Sequence, residues 1–273
     1  MPHVVVSGSF DDLRSRHIRF LQEASKFGKV HALVWSDEAI QALVGNPPKF
    51  PLAERMYTLQ AIRYVDQVSW LEPPVSLDMI PDNLSQLVEV WVVDRTSNSS
   101  LKRSFCQRHG LDYRIIPDRD LYGFPEFQPE TSVGESSQKK VVVTGCFDWL
   151  HSGHVRFFEE VSELGDLYVV VGHDANVRLL KGDGHPLFNQ DERRYMVQSI
   201  RFVRHALISS GHGWMDGEPE IESLHPDIYA VNEDGDKPEK RAFCEQHGLE
   251  YVVFKRKPKE GLPRRESRVL RGF

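Results

Sequence analysis

The chain has 273 residues, enough for two domains, and its 40% hydrophobic and 27% charged content is ordinary for a globular protein. A net charge of −6 excludes a general attraction to nucleic acid or to an anionic membrane, so any anion site must be built locally. No apolar run reaches the roughly 18–20 residues that cross a bilayer, and the start of the sequence shows no signal-peptide pattern. The three cysteines have no paired spacing. We therefore expect a cytoplasmic protein with no membrane span.

The chain contains an internal repeat, which determines its expected organisation. Four segments recur in the same order at a nearly constant offset: 4–11 as 141–148, 54–57 as 192–195, 61–65 as 199–203, and 105–111 as 243–249. The repeat predicts two homologous domains, residues 1–127 and 139–273. The segment between them, residues 128–138, is polar, lacks periodicity and carries Pro, Gly and Ser, which is typical of a linker.

Strand and helix signals alternate within each repeat, and they are clearest in the second one. β-branched runs predict buried strands, and apolar residues at helical spacing predict helices. In chain order these are strand 140–144, helix 154–163, strand 167–171, helix 191–202, strand 227–231, helix 238–247 and strand 250–254. The alternation predicts an α/β fold, with a parallel sheet flanked by helices and ligands bound at the carboxyl ends of its strands.

The segment from Gly145 to His154 follows the first strand of the second repeat. Gly145 would let the backbone turn tightly beside a ligand. His151 and His154 are one helical turn apart, so both imidazoles can face the same way, and Gly153 between them leaves phosphate room to approach the backbone. The helix start adds free N–H groups and a dipole that favour an anion. Zinc binding by the two histidines is the competing interpretation, but no third ligand at suitable spacing is evident.

The pattern Gly-x-Phe-Asp-x-x-His-x-Gly-His resembles the HxGH signature of the nucleotidyltransferase superfamily, specifically its cytidylyltransferase-like branch. Lys181-Gly182, Asp191-Glu192-Arg193-Arg194 and residues 227–235 follow in the order of the family's later motifs. The resemblance covers nearly the whole second repeat and, more weakly, the first. It implies two tandem Rossmann-like domains of the HUP type.

The resemblance implies transfer of a nucleoside monophosphate from CTP to a small phosphomonoester, with pyrophosphate leaving and Mg²⁺ bound with the triphosphate. ATP remains the alternative donor, and phosphocholine, phosphoethanolamine, glycerol phosphate and sugar phosphates all remain candidate acceptors. The implied catalytic residues are His151, His154 and Lys181. The implied nucleotide-binding residues are Gly145, Cys146, Phe147, Asp148, Gly153, Arg193, Asn232, Asp234, Arg256, Arg265 and Ser267.

Two of these assignments carry a qualification from the sequence itself. Arg193 has a counterpart, Arg55, in the first repeat, so a structural salt bridge at the helix start is its other interpretation. The basic tail, residues 255–271, matches the family's late Arg-containing segment imperfectly, because Glu266 stands where a small hydroxyl residue is usual. A carboxylate there would repel a triphosphate unless it is paired.

The first repeat has lost the predicted machinery. Its histidine motif reads Arg14-Ser15-Arg16-His17, and Val44 replaces the lysine. We therefore expect this domain to be inactive, although Arg14 and Arg16 leave an anion-binding regulatory role open. The two repeats are expected to pack as an intramolecular pseudo-dimer. A non-catalytic nucleotide sensor or scaffold is the alternative to an enzyme.

Overall fold

The computed structural model describes residues 1–71, 76–127 and 137–270. It divides into two compact units, Met1–Gly123 and Phe124–Phe273. Most of the predicted linker, residues 128–136, lies outside the described residues, as does Arg271 in the basic tail.

The first unit is built on a five-stranded parallel sheet with the strand order β3-β2-β1-β4-β5. Its strands are β1 His3–Gly8, β2 Lys29–Trp35, β3 Gln67–Leu71, β4 Val90–Asp94 and β5 Asp112–Ile116. Its helices are α1 Ser15–Ser25, α2 Asp37–Val44, α3 Leu52–Gln60, α4 Asp82–Ser85 and α5 Ser100–His109, followed by a 3₁₀ turn at Asp118–Leu121.

The second unit repeats this plan with the strand order β10-β9-β6-β7-β8. Its strands are β6 Lys140–Gly145, β7 Asp166–Val171, β8 Val203–Ile208, β9 Ile228–Asn232 and β10 Glu250–Phe254. Its helices are α6 Ser152–Ser162, α7 Asp174–Lys181, α8 Gln190–Gln198, α9 Glu218–Leu224, α10 Pro238–His247 and α11 Ser267–Leu270, with 3₁₀ turns at Gly213–Met215 and Glu233–Gly235. The predicted fold class, two Rossmann-like α/β sheets flanked by helices, is confirmed.

The predicted elements agree with the structure except where a helix runs into a strand. The helix 238–247 and the strand 250–254 have the predicted bounds. The predicted helix 191–202 instead ends at Gln198, and β8 begins at Val203. Buried apolar residues continue through this junction at a spacing that suits both structures, so periodicity alone did not show the helix end.

The strand order places a crevice beside β6, the first strand of the second unit. β6 pairs with β7 from Lys140 to Gly145, but it pairs with β9 only at Val141 and Val142. The two strands therefore separate toward their carboxyl ends. Right-handed crossovers running in opposite directions from β6 and β9 place α6 and α10 on opposite faces of the sheet, so the crevice lies between them.

The core explains why these strands form. Val141, Val142 and Val143 are completely buried, as expected for a parallel strand covered on both faces. On one face Val142 joins a cluster with Tyr229 and, from α10, Phe243. Within the described residues, no helix is both long and apolar enough to cross a membrane.

Candidate functional site

A cleft of about 310 Å³ opens at the carboxyl ends of β6, β7 and β9. It brings together most of the residues predicted from sequence: Gly145, Cys146, Phe147, Asp148, His154, Lys181, Asn232, Asp234 and Ser267. A narrower neighbouring depression shares Asn232 and is bordered by Gly153, Arg256 and Arg265. Side chains that are far apart in sequence therefore meet at one edge of the second sheet.

The first histidine of the motif caps helix α6. The Nδ1 atom of His151 accepts a hydrogen bond from the backbone N–H of Gly153 at 3.1 Å. Because Nδ1 accepts, the proton of a neutral ring must be on Nε2. This Nε2 is buried without a hydrogen-bond partner in the described part of the chain. An unsatisfied buried donor costs about 1–3 kcal/mol, and a bound anion would satisfy it.

The second histidine stacks on the first and lines the cleft. The ring centroids of His151 and His154 are 4.0 Å apart and the rings are inclined by 23°. His154 also meets the ring of Phe147 edge-on at 5.4 Å, and its Nδ1 is another buried atom without a partner among the described residues. The two imidazoles thus form one unit at the start of α6, beside the cleft.

Both imidazoles are neutral at neutral pH. Burial, together with smaller contributions from the nearby positive charges of Arg256 and Arg265, lowers the pKa of His151 to about 3. Burial also lowers the pKa of His154 well below its usual value, with smaller contributions from His151, Arg256 and Lys181. The free site therefore holds two neutral imidazoles beside the positive charges of Arg256, Arg265 and Lys181.

Gly145 has a different role from the predicted one. Its φ is not among the positive values, so it makes no glycine-dependent turn. A Cβ at this position would lie 2.7 Å from Cζ of Phe147. Phe147 itself has a positive φ of 50°. The glycine therefore leaves room for the ring that packs against His154.

Gly153 also makes room for a protein side chain. A Cβ on Gly153 would lie 3.0 Å from both Cε1 and Nδ1 of His151. The sequence suggested that this glycine leaves space for phosphate. In the structure, the group nearest to the missing side chain is the His151 ring itself, so the glycine sets the position of that ring.

Asp148 anchors a loop. The carboxylate is buried, and its Oδ1 accepts two consecutive backbone N–H groups, those of residues 187–188, at 2.6 and 3.0 Å. In the first unit Asp11 likewise accepts the N–H groups of residues 49–50, one on each carboxylate oxygen. Because this carboxylate anchor is also present in the repeat that lost its histidines, Asp148 stabilises the fold in addition to lining the cleft.

Arg193 is directed into the protein and not toward the cleft. Its guanidinium is only 1% exposed and donates to four protein acceptors: the carbonyls of Cys146, Gly172 and Phe188, and the carboxylate of Asp174. Arg55 makes the equivalent set in the first unit, with Ser9, Trp35, Phe50 and Asp37. This geometry argues against the predicted direct contact of Arg193 with nucleotide and favours the structural interpretation.

Lys181 ends helix α7 at the rim of the cleft. It is exposed, and the following Gly182 has a φ of 84°. Val44 holds the corresponding place at the end of α2, where Gly45 follows with a φ of 79°. The two units therefore share this helix and its glycine end, but only the second has a cation there.

The basic tail closes the neighbouring depression. Arg256 donates to Asp234 at 2.8 Å and to the carbonyl of Arg265 at 2.9 Å. Ser267 begins the short helix α11 and contacts the carbonyl of Trp149 at 3.5 Å. Glu266 lies 3.9 Å from Arg264, so the misplaced carboxylate has a cationic neighbour.

The first unit presents paired charges where the second presents imidazoles. Arg14 caps α1 and lies 2.7 Å from Asp12, and Arg16 lies 2.6 Å from Asp118 and 3.7 Å from Asp94. These carboxylates neutralise both guanidiniums, so the anion-binding role that the sequence left open has little geometric support.

Sequence reasoning missed part of the cleft. Thr144, Asn176, Trp214, Asp216 and Lys240 also line it. The lysine had one detectable signal, because it recurs as Lys102 at the same place in the repeated helix. The others meet at the cleft only through the fold, so no local pattern marked them.

Comparison with known proteins places this architecture in a family. A family profile described as cytidylyltransferase-like matches residues 142–259, which lie in the second unit. An FAD synthase of Aciduliprofundum boonei is 39% identical over 121 residues, covering 43% of this chain and 78% of that protein. An FAD synthase of Ferroglobus placidus is 35% identical over 125 residues, covering 45% and 78%.

A further relative is a longer protein. The bifunctional protein HldE of Campylobacter concisus is 43% identical over 81 residues, which are 29% of this chain and 17% of that protein. The chain thus spans about a sixth of the length of HldE but most of the length of the FAD synthases. This chain belongs to the cytidylyltransferase-like family and is a nucleotidyltransferase.

Proposed function

We propose that the second unit transfers a nucleoside monophosphate from a nucleoside triphosphate to a small phosphomonoester, releasing pyrophosphate. The observation that carries this proposal is the Nε2–H of His151, a buried donor at the start of α6 that has no acceptor among the described residues. A helix N-terminus already favours an anion, and the histidine adds a fixed donor beside it.

Catalysis of this transfer requires positioning and charge stabilisation more than covalent chemistry. His151 and His154 would donate to the phosphates while negative charge moves onto the leaving pyrophosphate. Lys181, at the rim of the same cleft, would contact those phosphates with its ammonium group. Removing one such donor typically lowers the rate about 10²–10³-fold.

The remaining predicted residues take two kinds of role in this proposal. Those around the cleft and the neighbouring depression would bind the nucleotide: Gly145, Cys146, Phe147, Gly153, Asn232, Asp234, Arg256, Arg265 and Ser267. Asp148 and Arg193 would act indirectly, by holding the loops that carry these groups.

The donor nucleotide is CTP or ATP. The sequence motifs resemble those of cytidylyltransferases, and this supports CTP. The name FAD synthase states that two relatives form an adenine dinucleotide, which supports ATP. Parallel assays with both triphosphates distinguish the two.

Mg²⁺ is proposed to enter with the triphosphate. In the described ranges, no cluster of three His, Cys, Asp or Glu side chains is arranged to hold a metal ion. Phosphate oxygens are preferred ligands of Mg²⁺, which usually binds with few protein ligands. When bound, the ion would neutralise phosphate charge.

Pyrophosphate release tests the proposal. The full chain is assayed with CTP or ATP against phosphocholine, phosphoethanolamine, glycerol 3-phosphate and sugar phosphates. His154→Ala should lower turnover by orders of magnitude with the fold retained. The matched variant His17→Ala, in the first unit, should leave turnover unchanged because we propose that this unit is inactive. Absence of turnover with every pair would count against an enzyme and favour the sensor alternative.

A further inference from the structure

Lys240 is a buried cation on the α10 side of the cleft that the motif analysis did not identify. It is only 6% exposed, yet it lines the cleft. Its Nζ donates to the hydroxyl of Thr144 at 3.2 Å and lies 5.5 Å from the centroid of the Tyr229 ring. Lysine is almost never this buried unless it is paired.

The repeat supplies an internal comparison. Lys102 occupies the same place in α5 and also lies over an aromatic ring, that of Trp91, at 5.7 Å. Its Nζ, however, donates to the carbonyl of Ser97 at 2.9 Å. The hydroxyl of Ser7, the counterpart of Thr144, is buried and has no partner within the described ranges. Packing over the ring is therefore common to both units, but only in the second does the ammonium turn to the end of the central strand.

The two carboxylates near Lys240 have other partners. Burial lowers its pKa, and the carboxylates of Asp216 and Asp234 oppose that effect. Asp216 accepts the hydroxyl of Ser209 at 2.7 Å, and Asp234 pairs with Arg256 at 2.8 Å. No hydrogen bond or ion pair joins either carboxylate to Lys240 in the described residues, so the ammonium can still receive an anion from the cleft.

We propose that Lys240, held by Thr144, binds the phosphate of the acceptor on the wall opposite the histidine pair. This inference rests on the proposed function. In phosphoryl-type transfer the attacking and leaving oxygens lie roughly in line through the phosphorus. If the pyrophosphate lies at the start of α6, the acceptor must approach from the α10 side, where Lys240 supplies the positive charge. Lys240 is then a specificity-determining residue for acceptors that carry phosphate.

A binding experiment tests this without knowledge of the true acceptor. Inorganic phosphate, as a minimal probe, is titrated calorimetrically into the full chain, with and without an α,β-methylene analogue of ATP or CTP. Lys240→Met should weaken phosphate binding about tenfold or more, because a charged hydrogen bond is lost. Thr144→Val should weaken it less, since the charge remains but its orientation is lost. Lys102→Met, the matched control, should bind as the wild type does.

Several results would overturn the inference: no phosphate binding by the wild type, equal binding by Lys240→Met, or an equal loss in Lys102→Met. Failure of the proposed function appears separately, as absence of binding of the methylene analogues and of pyrophosphate release. With any acceptor that is turned over, Lys240→Met should raise the KM for the acceptor and leave the KM for the triphosphate unchanged. If Lys240→Met does not fold, Thr144→Val decides alone, and wild-type phosphate affinity in that variant refutes the role.

Discussion

The substitution Gly153→Ala should separate activity from stability. The added methyl group would lie 3.0 Å from two atoms of the His151 ring, closer than ordinary van der Waals contact, so the ring must shift by a few tenths of an ångström. That ring is only 3% exposed and stacks on His154 at 4.0 Å, which leaves rotation away from its hydrogen bond as the main response. The Nε2–H of His151 would then point in a different direction from the one it has in the wild type.

The magnitudes decide the expected result. An off-rotamer ring costs about 0.5–1.5 kcal/mol, whereas alanine is favoured over glycine in a helix by up to about 1 kcal/mol. The free energy of unfolding should therefore change by no more than about 1.5 kcal/mol. Turnover should fall about 10²-fold, because small displacements of catalytic groups have effects of that size.

The assay combines urea unfolding with the kcat of pyrophosphate release. Arg16→Ala is the matched control, since Arg16 occupies the position of Gly153 in the first unit and its removal should leave kcat unchanged. Wild-type kcat in Gly153→Ala would refute the proposed role of the ring position. A loss of stability large enough to explain the lower activity would also refute it.

The pKa of His151 is about 3 in the folded protein against a usual value of 6.5, so between these pH values the folded protein binds fewer protons than the unfolded chain and loses stability as the pH falls. From pH 6.5 to 5 this ring contributes about 2 kcal/mol to that loss. In urea titrations at pH 7 and 5, His151→Gln should lose that much less stability than the wild type, and equal losses would contradict the burial of His151 as a neutral ring. Gly145→Ala forces its Cβ against the ring of Phe147 and should lower the free energy of unfolding in urea by about 1–3 kcal/mol. Gly8→Ala should be nearly neutral, because its Cβ would lie at an ordinary 3.5 Å from the ring of Phe10. Similar effects of the two substitutions would show that the close contact at Gly145 is relieved. Asp148→Ala and Asp11→Ala each remove an acceptor of two backbone N–H groups, and each should destabilise its unit by about 1–3 kcal/mol. Only Asp148→Ala should reduce pyrophosphate release. A loss of activity in both variants would argue against an inactive first unit.

The sequence alone determined the α/β architecture and where to look for chemistry. Recurring segments revealed the repeat, and the helix 238–247 and strand 250–254 were predicted with their observed bounds. The histidine motif, and its replacement by Arg14 and Arg16 in the first repeat, indicated which repeat carries the site. The inference of the architecture succeeds because strand periodicity and helix periodicity are local properties of the chain.

Only the tertiary structure decided what individual side chains do. Gly145 and Gly153 leave room for neighbouring aromatic and imidazole rings. The guanidinium of Arg193 donates mainly to backbone carbonyls. Lys240 differs from its counterpart, Lys102, in the acceptor to which its ammonium donates. Such roles depend on which atoms from distant segments come within a few ångströms of each other. Two repeats with matching sequence patterns can therefore give one surface of paired charges and one cleft that is lined by an imidazole and a buried lysine.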